Sequence, residues 1–270
     1  MGLAGCETVG HVDTASVLAL MQDVAAQVIT PRFRSLASEE VMEKNPGDLV
    51  TIADREAEAL ITAALREADP DALIVGEEAT ASEPSLLDQL ADAPRAWLID
   101  PVDGTKNFVH GRPDHAVMVA ELHAGECVRG WIWQPEHKLA FVAERGAGVW
   151  RNGERLTRPE AQVDPETLRV VTSRPSQEGR HGTLTLGSTA WCCGVDYPWL
   201  AEGRVDAIAY SRGLPWDHAA GSLLTEEIGG VIRHADGTRY RPGRPVAQQT
   251  GQLIAAASAP VWEYVADQLR

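Results

Sequence analysis

The chain has 270 residues, with 39 acidic against 24 basic side chains and a formal net charge of −15. Its 44% hydrophobic and 23% charged residues make an ordinary globular mixture, which excludes disorder and low-complexity architecture and leaves room for one large or two small domains. The acidity excludes a nucleic-acid polymer held through its phosphate backbone, a mode that needs clustered Lys and Arg to displace counterions, but leaves open small phosphorylated molecules held through metal ions.

The first residues, Met1-Gly2-Leu3-Ala4-Gly5-Cys6, carry neither a basic region nor a long apolar run, so no secretory signal is expected. No window reaches the roughly 18 apolar residues of a membrane span. The cysteines Cys6, Cys127, Cys192 and Cys193 form no C-x-x-C pair and read as buried small hydrophobes. These features predict a cytoplasmic protein with no membrane partner.

Residues 15–33 carry Val17, Leu18, Met21, Val24, Ala25, Val28 and Ile29 at helical spacing. Thr51 is a natural N-cap for a second helix, 52–68, with Ile52, Leu60, Ile61 and Leu65 on its apolar side. Residues 72–75 and 96–99 are short apolar runs, each leading into acidic residues, as buried strands would that deliver carboxylates at their ends. Strands at 115–122, 127–133, 138–143, 148–150 and 154–157 follow, separated by turn signals of which Asn152-Gly153 is the strongest, so this stretch reads as an antiparallel meander. The Pro- and acid-rich 158–166 segment is the expected boundary between an N-terminal half, 1–157, and a C-terminal half, 158–270. Beyond it, strands are expected at 168–172, 207–210, 231–233 and 253–256, and helices at 188–200, 216–228 and 261–269. Strands alternating with helices here make a mixed α/β layer.

Acidic residues stand next to turns or helix starts in four segments: 48–54, Gly76-Glu77-Glu78, Asp100-Pro101-Val102-Asp103-Gly104-Thr105 and Trp216-Asp217-His218-Ala219-Ala220-Gly221. Singly, each has a structural explanation as a solvated face, a turn or a helix-dipole charge. The third is harder to explain that way. The apolar Trp97-Leu98-Ile99 runs straight into two aspartates, and carboxylates at a strand end are costly unless a cation sits between them. Mg²⁺ meets that need, because it prefers oxygen ligands and keeps waters. The N–H groups of Gly104 and Thr105 at a helix start suit a phosphate oxygen. Adjacent metal and anion sites suit metal-assisted phosphoester hydrolysis.

These motifs resemble the inositol monophosphatase family of lithium-sensitive, Mg²⁺-dependent phosphatases, related to the fructose-1,6-bisphosphatases. The fingerprint D-P-[IV]-D-G-T followed by N-F is Asp100 to Phe108, W-D-x-A-A-G is Trp216 to Gly221, and E-x-G-G is Glu227 to Gly230. D-x-V-T-x-x-D is Asp48 to Asp54, and G-E-E is Gly76 to Glu78. The resemblance covers most of the chain and implies an αβαβα sandwich with an active site between the halves. It implies two or three Mg²⁺ ions held by Glu77, Asp100, the carbonyl of Val102, Asp103 and Asp217. It also implies a catalytic set of Asp54 as general base, Thr105 and Glu77, with Glu78 and Lys44 supporting them. Phosphate and substrate would be held by Gly104 and Thr105 and by a Gly187-Ser188-Thr189 turn. Attack by metal-activated water without a phospho-enzyme, and a homodimer, belong to the same implication.

Two departures from the family pattern bear on the substrate. Where members acting on inositol phosphates carry a glutamate that grips sugar hydroxyls, this chain has Tyr210, followed by Ser211 and Arg212. A tyrosine can stack on a flat group or donate one hydrogen bond, but is not a charged acceptor. The family normally carries a helix and a strand over 174–186, and here the segment, with Pro175, Gly179 and Gly182, is too short for a full helix. The leading expectation is a phosphomonoesterase acting on a small phosphorylated polyol or sugar. Histidinol phosphate or a 3′-phosphoadenosine nucleotide, which Tyr210 and the aromatic Trp191 make possible, is the alternative substrate, and a non-catalytic metal-binding protein or an acidic scaffold protein the alternative of another class.

Overall fold

A computed structural model describes residues 12–249 and 251–270; Cys6 lies outside them. Helix α1 (Thr14–Val24), N-capped by the Asp13 carboxylate, continues through a π-turn and a 3-10 turn to Arg32. The hairpin β1 (Val41–Asn45) and β2 (Asp48–Thr51) leads into α2 (Ile52–Ala68). Thr51 and Asp54 form a reciprocal capping box at its start. Then come β3 (Leu73–Gly76), α3 (Glu77–Ser82), α4 (Ser85–Leu90), β4 (Arg95–Asp103) and α5 (Thr105–Val109). The expected meander follows as β5 (Ala116–His123), β6 (Glu126–Gln134), β7 (Leu139–Glu144), β8 (Gly148–Arg151) and β9 (Glu154–Leu156). The C-terminal half contains β10 (Val170–Thr172), β11 (Gly179–His181), β12 (Leu184–Ser188), α6 (Cys193–Ala201), β13 (Ala207–Tyr210), α7 (Pro215–Glu227), β14 (Val231–His234), β15 (Leu253–Ala256) and α8 (Ala259–Gln268).

The seven-stranded sheet runs β3-β4-β5-β6-β7-β8-β9 and the six-stranded sheet β11-β12-β10-β13-β15-β14. Three apolar clusters order the layers. Alternating side chains of the larger sheet (Trp97, Ile99, Val117, Val119, Trp131) bury against Val17 and Met21 of α1 and Ile61 and Leu65 of α2. The opposite side chains (Leu98, Met118, Ala120, Ile132) pack against Tyr197 and Leu200 of α6 and Ala219, Ala220 and Leu223 of α7, in a cluster that continues into Ile208 and Ala255 of the smaller sheet. The far face of that sheet (Leu186, Ala209, Ile254) is covered by Val261, Trp262 and Val265 of α8. The result is the expected αβαβα sandwich, with α6 and α7 as its middle layer.

The middle layer explains much of the second signature. A Cβ on Gly221 would stand 2.0 Å from the Tyr197 ring, and one on Gly130 of β6 would stand 2.8 Å from the Cα of Ala220. Small residues therefore let α7 lie close against both α6 and the sheet. Glu227 accepts the N–H groups of Gly146 and Gly148, each at 2.8 Å, and pins the turn between β7 and β8 to the end of α7.

Two expected boundaries move. The helix expected at 188–200 begins at Cys193, because Leu184 and Leu186 bury alternate positions and hold β12 extended, with Ser188 paired to Thr172. The short 174–186 segment contains a 3-10 turn and the edge strand β11 and no α-helix.

Candidate active site

Asp100 and Asp103 are three residues apart, a spacing that puts side chains on opposite faces of a regular strand. Here β4 pairs with β5 as Asp100↔Met118 and Asp103↔Ala116, so one extra residue is accommodated between them. That bulge restores the alternation and turns both carboxylates into one cavity. Pro101 is tolerated within it because it has no N–H to leave unpaired. Immediately after, Gly104 takes φ +80°, and a Cβ there would lie 2.9 Å from the carbonyl oxygen of Asp114. Only glycine allows the sharp turn that starts α5 with Thr105.

The cavity is about 900 Å³ and brings together Lys44, Glu77, Glu78, Asp100, Val102, Asp103, Gly104, Thr105 and Asp217. They arrive from β1, α3, β4, α5 and α7. Asp217 enters on α7, so the constellation is complete only when α7 has packed against the larger sheet. Asp54, fully buried, stands behind the wall. Its Oδ2 accepts the Thr51 N–H at 2.9 Å and the Thr51 hydroxyl at 2.6 Å, while Oδ1 lies 3.2 Å from Thr105 Oγ1. Thr105 Oγ1 is also 3.0 Å from the Val102 carbonyl oxygen.

Electrostatically the cluster is built for cations. Burial, and then repulsion from Glu77, Asp103 and Asp217, holds Asp100 well above the usual carboxylate range. Burial, with Asp103 and Glu77 adding to it, does the same to Asp217. Asp103 is pushed up to about 6 and Asp54 to about 7, burial being the main cause in both. Asp100 Oδ1 is buried with no hydrogen-bond partner. Lys44 Nζ sits 2.5 Å from Glu77 Oε1 and 2.8 Å from Glu78 Oε1 and offsets part of this charge. An all-oxygen donor set with an orphaned carboxylate oxygen fits a hard divalent cation.

A second grouping, Cys193, Asp217 and His218, places potential ligand atoms within 4.8 Å of one another. Both His218 nitrogens are already engaged, Nδ1 with the Tyr197 hydroxyl at 2.9 Å and Nε2 with the Arg212 carbonyl at 2.8 Å. His218 is therefore a positioned core histidine beneath Asp217.

A model of the inositol monophosphatase family matches residues 12–268. The chain belongs to the inositol monophosphatase family. A Nus factor SuhB of Pseudomonas aeruginosa is 36% identical over 224 residues, covering 76% of this chain and 80% of that protein. An inositol-1-monophosphatase of Mesorhizobium japonicum is 33% identical over 229 residues, covering 79% and 82%. An IMPase structure from Thermotoga maritima superposes with a TM-score of 0.77 at 26% identity, covering 94% of this chain and 96% of that one. As a member of the family the chain is a phosphoric monoester hydrolase. No helix among the described residues is long and apolar enough to cross a membrane.

Three of the residues expected at the site of this family member lie elsewhere. Tyr210 is buried, its ring 4.7 Å from that of His218 and 5.3 Å from that of Tyr197, with its hydroxyl unpartnered in the core. A position alternating inward on β13 cannot also reach the cavity. Ser188 is exposed at the end of β12, and the Thr189 hydroxyl accepts the Trp191 N–H at 3.3 Å; neither lines the cavity. The turn that opens α6 is instead Trp191-Cys192-Cys193, with Trp191 at φ +60°. There the Cys192 thiol donates to Asp103 Oδ2 at 3.0 Å and the Gly194 N–H donates to the same oxygen at 2.5 Å.

One residue escaped the sequence reading. Glu58, on α2, accepts the N–H of Glu78 at 2.8 Å and of Ala79 at 2.7 Å, so a buried carboxylate caps the helix that carries Glu77. A Cβ on Gly76 would fall 2.2 Å from that carboxyl carbon, so the glycine of G-E-E makes room for it. Its helical spacing from Asp54 was the available signal. Glu58→Gln keeps one acceptor oxygen and loses the paired grip. Activity titrated against Mg²⁺ is expected to show roughly tenfold weaker metal dependence, the usual cost of removing a supporting partner, with an unfolding temperature close to wild type. An unshifted Mg²⁺ titration would show that Glu58 caps α3 and nothing more.

Proposed function

We propose that this protein is a Mg²⁺-dependent phosphomonoesterase that hydrolyses a small phosphomonoester by direct attack of water. The observation that carries the reading is the convergence of Glu77, Asp100, Asp103 and Asp217 on one cavity, with a buried, unpartnered oxygen on Asp100. Those four side chains and the Val102 carbonyl would hold two or three ions. When bound, Mg²⁺ neutralises charge on the phosphoryl group and lowers the pKa of water. Thr105 Oγ1, which lines the cavity, would orient the attacking water and take its proton while releasing its own to Asp54 Oδ1, 3.2 Å behind it. With its carboxyl raised to about 7 by burial, Asp54 titrates where a general base is effective. Glu77 also belongs to this catalytic set. Gly104 and Thr105 offer N–H groups to phosphate, and Lys44 and Glu78 hold Glu77 in place.

Covalent catalysis has little support. Burial, with the Asp103 charge adding to it, pushes the Cys192 and Cys193 thiols far above their ordinary value, so neither is an ionised nucleophile. A small phosphorylated metabolite as partner, lithium inhibition, a homodimer and a cytoplasmic location belong to the same reading. With Tyr210 buried, the leaving group is selected by other residues of the wall.

The test is inorganic phosphate release from a panel of phosphomonoesters, comprising inositol, sugar, histidinol and nucleoside phosphates, with Mg²⁺ and after chelation by EDTA. Release that requires Mg²⁺ is expected from at least one class. If none releases phosphate, the hydrolase reading fails and a metal-binding role replaces it.

A further inference from the structure

The proposed metal and phosphate positions leave much of the cavity wall without a function, and one residue there is unusual twice over. Trp191 is 45% exposed and lines the cavity that holds Asp100, Asp103 and Thr105. The other large apolar side chains exposed among the described residues, Leu60, Trp150 and Val163, do not. Its backbone also sits at φ +60°, the left-handed region, which a bulky side chain rarely occupies. Such strain persists only where the surroundings impose it.

The surroundings do impose it. The preceding residue is tied at both ends, with the Ala190 N–H donating to the buried Asp196 carboxylate at 2.7 Å and its carbonyl accepting from Asn107 Nδ2 at 2.8 Å. Asn107 belongs to α5, the helix that begins with Thr105. The following residue, Cys192, is bonded to Asp103 at 3.0 Å. The backbone that bears the indole is thus tied to α5, which begins with Thr105, and to Asp103, one candidate metal ligand. An exposed aromatic face on a fixed backbone beside a reaction centre is a stacking surface. A polyol can meet such a face only through its C–H groups, whereas a planar ring covers it in full, and the tyrosine that could have served instead is in the core.

We propose that Trp191 is the platform on which a planar ring of the substrate stacks, so that the phosphomonoester cleaved at this site carries an aromatic or heteroaromatic ring. The inference rests on the phosphomonoesterase reading and assigns the leaving group that reading left open. It divides the roles on the cavity wall: the carboxylates and Gly104-Thr105 position the phosphoryl group, and Trp191 sorts what is attached to it.

The experiment uses the Mg²⁺-loaded protein and three substrates: adenosine monophosphate, phenyl phosphate and the ringless glycerol 2-phosphate. Trp191→Gly removes the ring at a backbone angle that glycine adopts freely; Trp191→Phe keeps a flat face. The wild type is expected to favour the ring-bearing substrates. In Trp191→Gly, kcat/KM for these is expected to fall roughly tenfold or more relative to glycerol 2-phosphate, mainly through KM, as loss of one stacking contact implies. Trp191→Phe is expected to recover most of the loss. Equal losses on all three substrates, or a wild-type preference for glycerol 2-phosphate, would overturn the stacking role while leaving the phosphatase reading intact. Failure of the wild type to release phosphate from adenosine monophosphate and phenyl phosphate would overturn the ring-bearing substrate, and the phosphatase reading falls only if the wider panel of phosphomonoesters fails as well.

Discussion

Asp100→Asn is expected to yield a folded protein that has lost Mg²⁺-dependent phosphate release. Asp100 is 2% exposed, and its Oδ1 has no partner. Its carboxyl is held protonated-prone by burial and by four neighbouring acids, Glu77, Asp103, Asp217 and Asp54. An isosteric amide removes one of the repelling charges, so the metal-free fold is relieved of strain. The same amide presents an N–H donor where a cation needs an acceptor. Lewis-acid stabilisation of a phosphoryl group is worth several kcal/mol, and each ~1.4 kcal/mol is a factor of ten, so phosphate release should fall by about 10³-fold. Asp217→Asn is expected to behave alike, although it comes from the other half of the molecule. The measurements are phosphate release against Mg²⁺ concentration and thermal unfolding without metal. A variant that keeps activity within tenfold of wild type at the same Mg²⁺ concentration would remove Asp100 from the ligand set. A variant that fails to fold would remove the account of its charge as an apo-state burden.

The residues behind that prediction were legible in the sequence for a physical reason. D-P-V-D-G-T combines an apolar strand, a proline without an N–H, paired acids and a glycine at a left-handed angle, and each restriction narrows what the backbone can do. The Thr51 cap of α2 and the Asn152-Gly153 hairpin were legible on the same grounds. The bulge that brings Asp100 and Asp103 to one side was not, because it is fixed by pairing with β5, far along the chain. The hairpin β1–β2 was missed because its Met-Glu-Lys-Asn strand is half-exposed and shows no apolar alternation. The substrate side was read least well. Gly187-Ser188-Thr189 looks like a helix-opening turn, yet the alternation of Leu184 and Leu186 keeps it in β12. Tyr210 looks like a recognition residue, but register on β13 turns it inward. Trp191, which the sequence offered beside Tyr210 as a possible aromatic contact, does face the cavity. Glu58 escaped because one glutamate in a charged helix reads as a solvated face, and only tertiary packing shows its carboxylate capping another helix.

The metal-free protein is expected to lose stability as pH rises from 6.5 to 8.0, and Mg²⁺ to abolish that loss. Burial raises Asp54 and Glu58 to about 7, against 3.8 and 4.5 for the free side chains, and holds Asp100 and Asp217 well above the usual carboxylate range. Around neutral pH the native state therefore keeps protons that the unfolded chain has already released. Stability falls with pH wherever the native state binds more protons, so for these acids it is lost as pH climbs through the native values. The buried histidines act in the opposite sense but in another window. His115 and His218, lowered to about 4 from 6.5, favour the native state as pH rises, an effect largely complete by 6.5. The buried thiols share the sign of the acids, but matter only as pH nears their free value of 9.0. Between 6.5 and 8.0 the carboxylates dominate. A net change of about 2 kcal/mol would lower the unfolding temperature by roughly 5 °C in a chain of this size. Mg²⁺ binds the ionised ligands, and so stabilises the native state most where they are already deprotonated. Scanning calorimetry at pH 6.5 and 8.0, with EDTA and with saturating Mg²⁺, reads both effects. Asp100→Asn in EDTA should show a smaller gap than wild type, because one of the interacting acids is gone. Equal unfolding temperatures at the two pH values in EDTA would mean that these carboxylates do not share a desolvated cavity, and the cation site inferred from them would fall with that result.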